Sequence, residues 1–177
     1  MNRYSSKRVF TGNVVNVRVD RIDAPRGRQR EVEVIEHSGG VAIIAQPTSE
    51  TIVLVKQYRH AVGEDLWEVP AGMIDTGEEP LDAARRELIE ETGYRAERIN
   101  YLWSIFTTPG FCEERIFFYV AEGLTQGESS PDIDEEFELR VWSVAEACKL
   151  VERDELRDSK TQIALAWAAG SAARSRI

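Results

Sequence analysis

Residues 72–94 read Gly-Met-Ile-Asp-Thr-Gly-Glu-Glu-Pro-Leu-Asp-Ala-Ala-Arg-Arg-Glu-Leu-Ile-Glu-Glu-Thr-Gly-Tyr. Pro80 suits the first turn of a helix, where its missing N–H costs nothing. Gly93 suits the stop, because it accepts the left-handed conformation. These two signals predict a helix from about Glu79 to Thr92. On that helix Glu87 and Glu91 are four residues apart and Glu90 is three from Glu87, so the three carboxylates share a face. Leu81, Ala84 and Leu88 form an adjoining apolar stripe that can pack on a sheet. Exposed like charges at this spacing repel by a few tenths of a kcal/mol, and a divalent cation removes that cost. Carboxylate oxygens are hard ligands, suited to Mg²⁺ or Mn²⁺ rather than Zn²⁺. Mg²⁺ bridges to substrate phosphates, which points to metal-assisted attack of water on a phosphoryl group.

Strands are expected on both sides of this helix. Val15, Val17 and Val19 alternate with polar residues, and so do Val32 and Val34 after the turn-rich Ala24–Gln29. This predicts a hairpin near the start. Val41–Ala45 and Ile52–Val55 are continuously apolar and rich in β-branched residues, as in strands buried on both faces. A short strand near Leu66–Val69 ends at Pro70. Ile99–Phe106, Arg115–Ala121 and Phe137–Trp142 read as further strands, with a polar loop over Gly123–Ile133. Ser143-Val-Ala-Glu146 is a capping box opening a helix to about Glu152, and a last helix covers about Lys160–Ala169. Interleaved strands and helices predict an α/β domain with helices packed on a mixed sheet. The division expected is an N-terminal β segment over 1–38 and the main domain over 39–177.

The formal net charge of −9 argues against nucleic acid as a partner. No apolar run approaches a membrane span, and the N-terminus lacks an apolar signal region. Cys112 and Cys148 form no metal motif, so a reduced cytoplasm is the expected setting.

The segment matches G-x5-E-x7-R-E-U-x-E-E-x-G-U, with U apolar or aromatic, at Gly72, Glu78, Arg86, Glu87, Leu88, Glu90, Glu91, Gly93 and Tyr94. It thereby resembles the Nudix box. The resemblance implies the Nudix fold, an α/β/α sandwich around a mixed sheet, here with an N-terminal antiparallel β appendage. It implies Glu87, Glu90 and Glu91 as metal ligands, the Ala71 carbonyl as a further one, and Mg²⁺ or Mn²⁺ as the cofactor. Gly72, Glu78 and Gly93 would support the site. Arg86 would pair with a box glutamate and, with Glu90, belong to the catalytic group.

Gln57-Tyr58-Arg59, Trp67–Gly72 and Thr108–Phe111 resemble the ADP-ribose pyrophosphatases within that family, as do Asp158–Thr161 and the early hairpin. This implies hydrolysis of a nucleoside diphosphate derivative, with ADP-ribose going to AMP and ribose 5-phosphate. Another nucleotide sugar such as GDP-mannose is the alternative, and a non-catalytic Nudix ligand sensor is a third reading. Arg59, Glu68, Met73 and Pro109 would contact substrate. The loop ending Asp132-Ile-Asp-Glu-Glu-Phe137 would supply the base that activates water, either Glu135 or Glu136. A hairpin over about Arg8–His37 is too small to bury its own core, so a homodimer is expected.

Overall fold

The computed structural model describes residues 3–127 and 138–174. Three strands come first: β1 (Arg3–Thr11), β2 (Asn16–Ala24) and β3 (Arg28–Glu36), joined in that order as an antiparallel sheet. The expected hairpin is β2–β3. β1 was not expected, because its two large apolar residues, Val9 and Phe10, are consecutive rather than alternating, and its pairing with β2 carries two register shifts. The β2–β3 turn is a tight 3₁₀ turn at Pro25–Gly27, with Arg26 and Gly27 both at positive φ.

The main body contains β4 (Gly40–Ala45), β5 (Thr51–Arg59), β6 (Glu64–Glu68), β7 (Ala71–Met73), α1 (Pro80–Thr92), β8 (Tyr94–Phe106), β9 (Arg115–Gln126), β10 (Glu138–Ser143), α2 (Val144–Glu152) and α3 (Ser159–Arg174). One sheet has the order β7-β4-β9-β8 and is mixed, since β4 and β9 run parallel. The other has the order β10-β5-β6 and is antiparallel.

β4 explains why its sequence is apolar at every position. Ala42 and Ile44 enter a core shared with Phe118, Leu156 and Leu165, beneath α2 and α3. Val41, Ile43 and Ala45 enter a second core with Ala83, Ala84 and Leu88 of α1. A period-2 backbone between two helical layers has no solvent face to mark with polar residues. Leu88 is 1% exposed; cutting it to Ala costs about 2–5 kcal/mol, and α1 loses its anchor.

Three boundaries differ from expectation. β9 runs through Gly123 to Gln126, where a loop was expected; Gly123 keeps strand pairing on both sides while taking φ 67°, the bulge-like use of a strand glycine. β8 starts at Tyr94, directly after the helix cap. β7 is a three-residue strand invisible to any periodicity. The capping box holds: Ser143 Oγ accepts from the Glu146 N–H at 3.2 Å and meets its carboxylate at 2.9 Å. No helix among the described residues is long and apolar enough to cross a membrane.

The N-terminal sheet is tied to the body through the turn after β8. The Ile35 N–H donates to the Phe111 carbonyl at 2.7 Å, and the Glu113 N–H donates to the Ile35 carbonyl at 3.0 Å. Arg18 adds ion pairs to Glu36 and Glu113.

Candidate active site

β7 is held on the edge of β4, with Val41 opposite Gly72, and α1 packs beside it. Two box carboxylates reach this short strand. Glu91, 6% exposed, accepts a hydrogen bond from the Ala71 N–H at 3.0 Å. Glu87 lies over Gly72 so closely that a Cβ there would be 2.0 Å from its carboxyl carbon. Gly72 is therefore required by approach: the Glu87 carboxylate fills the space a side chain would take. The helix stop works as expected, with Gly93 at φ 72° and its N–H on the Ile89 carbonyl.

Arg86 ties the rest of the box together. Its Nε and Nη2 bind both oxygens of Glu78 at 3.0 and 2.9 Å. Its Nη1 reaches Glu87 at 2.6 Å and Glu90 at 3.0 Å, and Nη2 also donates to the Met73 carbonyl. The hydrogen bond from Arg86 holds the Glu78 carboxyl below its ordinary range. The bond to Glu78, with those to Glu87 and Glu90, raises the guanidinium further against the opposing effect of burial. Glu78 also accepts from the Asp75 N–H at 3.0 Å, closing the turn at Gly77 that leads into α1.

A cavity beside the short strand holds two cations. Arg59, Lys160, Ala71, Gly72, Met73 and His37 line one cavity. Arg59 grips Glu68 with Nε at 2.6 Å and Nη2 at 2.9 Å. Lys160 Nζ is 3.0 Å from the same carboxylate and 2.8 Å from Asp158. Glu68 is 1% exposed, so it sits behind Arg59 and Lys160. Its hydrogen bond raises the Arg59 guanidinium despite desolvation. Burial pulls Lys160 down, but Asp158 and Glu68 outweigh it and leave the ammonium raised. Both cations stay charged.

Asp158 also caps α3. Its Oδ2 accepts from the Thr161 N–H at 2.9 Å and from the Thr161 hydroxyl at 2.7 Å. Thr161 Oγ1 in turn accepts from the Val69 N–H at 2.8 Å. The start of α3 is thus fastened to the strand end that precedes the box.

The structure brings Ala71, Gly72, Met73, Arg59 and the box carboxylates to one region. Pro109 lies in an exposed turn closed by the Phe111 N–H on the Thr108 carbonyl, and it does not line the cavity. Glu135 and Glu136 lie outside the described residues. Lys160 and His37 line the cavity although the sequence reading gave neither a role. For Lys160 the available signal was the Asp158-x-x-Thr161 cap spacing, which orients the residue between them.

Among the described residues no three His, Cys, Asp or Glu side chains converge as a ready-made cation site, since Arg86 binds oxygens of both Glu87 and Glu90. The donor set nevertheless fits a hard divalent ion. Glu87 and Glu91 both approach the Ala71–Gly72 backbone, and the space over Gly72 already holds a carboxylate.

A short strand and a glutamate-rich helix on a mixed sheet, with Arg59 and Lys160 in a cavity beside the strand, mark an α/β domain with a candidate site for a phosphorylated ligand. Residues 36–165 match the NUDIX domain family, and the chain belongs to it. Over 164 residues it is 38% identical to the methanol dehydrogenase activator of Bacillus methanolicus, covering 92% of this chain and 89% of that protein. It is 35% identical over 165 residues to the ADP-ribose pyrophosphatase of Bacillus subtilis (strain 168), with the same shares of each. The fold superposes on the crystal structure of an ADP compounds hydrolase with a TM-score of 0.84 at 20% identity, over 99% of this chain and 95% of that one. The last comparison speaks to the fold.

Proposed function

We propose that this Nudix hydrolase cleaves the diphosphate of ADP-ribose, giving AMP and ribose 5-phosphate. The observation that carries the reading is that the Ala71–Gly72 backbone is approached by Glu87 and Glu91 and lines a cavity together with Arg59 and Lys160. The 35% identity to an ADP-ribose pyrophosphatase supports the choice of substrate.

Glu87, Glu90 and Glu91, with the Ala71 carbonyl, would hold Mg²⁺ or Mn²⁺. When bound, the ion neutralises the diphosphate and lowers the pKa of water. Arg59 receives phosphate oxygens with a guanidinium already oriented by Glu68. Arg86 holds Glu87 and Glu90 apart from each other's charge. Glu135 or Glu136 takes the proton of the attacking water; one P–O bond forms, and the P–O bond to the bridging oxygen breaks.

The test is kcat/KM for ADP-ribose, GDP-mannose and NADH at fixed Mg²⁺, with products identified. ADP-ribose is expected within about tenfold of the best substrate, ~1.4 kcal/mol in transition-state binding. A larger gap overturns the substrate and leaves the hydrolase standing. An absence of Mg²⁺-dependent turnover on every compound favours the sensor reading.

Residues 1–38 form the proposed dimerisation segment, with a second copy of the chain as partner. Val9, Phe10 and Val14 are more than half exposed there, and an edge strand with apolar side chains needs cover. Sedimentation is expected to give a dimer; a stable monomer at micromolar concentration counts against it.

A further inference from the structure

We infer that Lys160 is a positioning residue for the diphosphate, acting through Glu68 on Arg59; this rests on the diphosphate-hydrolase reading above. Glu68 has both oxygens engaged, Oε1 by Arg59 Nε and Oε2 by Arg59 Nη2 together with Lys160 Nζ. A carboxylate gripped on both oxygens has one orientation, and so does the guanidinium laid against it. Without Lys160, Oε2 loses one of its two donors and the pair can rotate as a unit.

The support is rigid for a second reason. Lys160 lies between Asp158, which caps α3, and Thr161, which is fully buried and hydrogen-bonded to the Val69 N–H. Its backbone is therefore fixed to the strand end that leads into Ala71 and Gly72. A contact held on a fixed element places its neighbour more accurately than one on a loop. The charges also balance: Arg59 and Lys160 face Glu68 and Asp158, so the buried Glu68 carboxylate is not left unpaired.

The experiment is a double-mutant cycle on the full chain with Lys160→Met and Arg59→Ala, reading KM and kcat for ADP-ribose. Lys160→Met is expected to raise KM about tenfold with kcat within about twofold, and to add less than about twofold in the Arg59→Ala background. Lys160→Arg, which keeps a cation on Glu68, is expected to restore KM to within about threefold of wild type. It also serves as the deciding variant if Lys160→Met does not fold. Additive effects, an unchanged KM in folded Lys160→Met, or a folded Lys160→Arg with KM raised tenfold would each overturn the inference. A wild type that spares ADP-ribose but cleaves another nucleoside diphosphate derivative overturns the substrate instead, and the same cycle on that compound decides the role of Lys160.

Discussion

Two ionic clusters lie close to the Ala71–Met73 strand, each built around one arginine, and they are made differently. The Arg86 cluster draws Glu78, Glu87, Glu90 and the Met73 carbonyl from a single stretch of chain, and its members stay partly exposed. The Arg59 cluster joins Glu68 to Lys160 across 92 positions of sequence, and its central carboxylate is out of water. In the first, every carboxylate keeps some contact with solvent, which suits the metal-ligand role proposed for Glu87 and Glu90. In the second, Arg59 is 39% exposed but the carboxylate it grips is not, so exchange at Glu68 is costly. The same pairing of guanidinium and carboxylate is a rearrangeable hub in one place and a brace in the other, and burial decides which.

The largest expected effect tests the brace. Glu68→Ala leaves Arg59 and Lys160 without their shared carboxylate. Arg59 is 39% exposed and Lys160 keeps Asp158, so the expected cost is about 3 kcal/mol, the lower end for breaking a buried pair. Glu78→Ala in the hub leaves Arg86 with Glu87 and Glu90 and is expected to cost about 1 kcal/mol or less. Denaturant unfolding of the two variants checks this, and equal losses would erase the distinction.

Next comes the chemistry of the box carboxylates beside the short strand. Glu91→Gln, and likewise Glu87→Gln, is expected to lower kcat at saturating Mg²⁺ by about a hundredfold or more, ~2.7 kcal/mol, with the circular dichroism of the fold retained. Wild-type turnover in Glu91→Gln would sink its assignment as a metal ligand.

Gly72→Ala should act at the point where hub and strand touch. The added methyl would sit 2.0 Å from the Glu87 carboxyl carbon, so the side chain or the strand must move. Overpacking of this kind costs about 1–3 kcal/mol. Activity should fall along with the melting temperature, whereas a variant equal to wild type in both would show that Glu87 leaves the strand at no cost.

The smallest effect is the hub's response to acid. Arg86 depresses the Glu78 carboxyl below its ordinary value of 4.5. A depressed carboxylate contributes stability that is present above that value and is lost as pH falls through the lower folded pKa. Stability should therefore decline more steeply below about pH 4.5 in wild type than in Glu78→Gln, as followed by melting temperature against pH. Identical slopes would mean that Glu78 is equally easy to protonate folded and unfolded.

The carboxylate face was legible in the sequence because its members lie on one helix. The supporting roles of Glu78 and Arg86 came instead from family resemblance, and the bonds of Arg86 to several carboxylates and to the Met73 carbonyl of β7 were not foreseen. Helical spacing alone puts Glu87, Glu90 and Glu91 on one face, and Pro80 and Gly93 mark its ends. The strands β4 and β5 were legible for a related reason: burial on both sides leaves a continuous apolar run. β1 was not, because its large apolar residues are consecutive rather than alternating, and β7 was not, because three residues carry no period. The brace was half legible. Arg59 and Glu68 were picked out by resemblance, but their mutual grip was not. Lys160 lies in the Asp158–Thr161 segment that shares the resemblance, but nothing local gave it a role.

What the sequence by itself determined, then, is whatever depends on neighbours within about two helical turns or one strand: the carboxylate face, its stop signals, the capping box at Ser143 and the apolar strands. Only the tertiary structure decided that α3 returns to Val69, that Lys160 shares Glu68 with Arg59, and that Gly72 leaves room for Glu87. Those facts depend on which distant segments meet, and loop closure brings together positions whose pairing is not written in any local period.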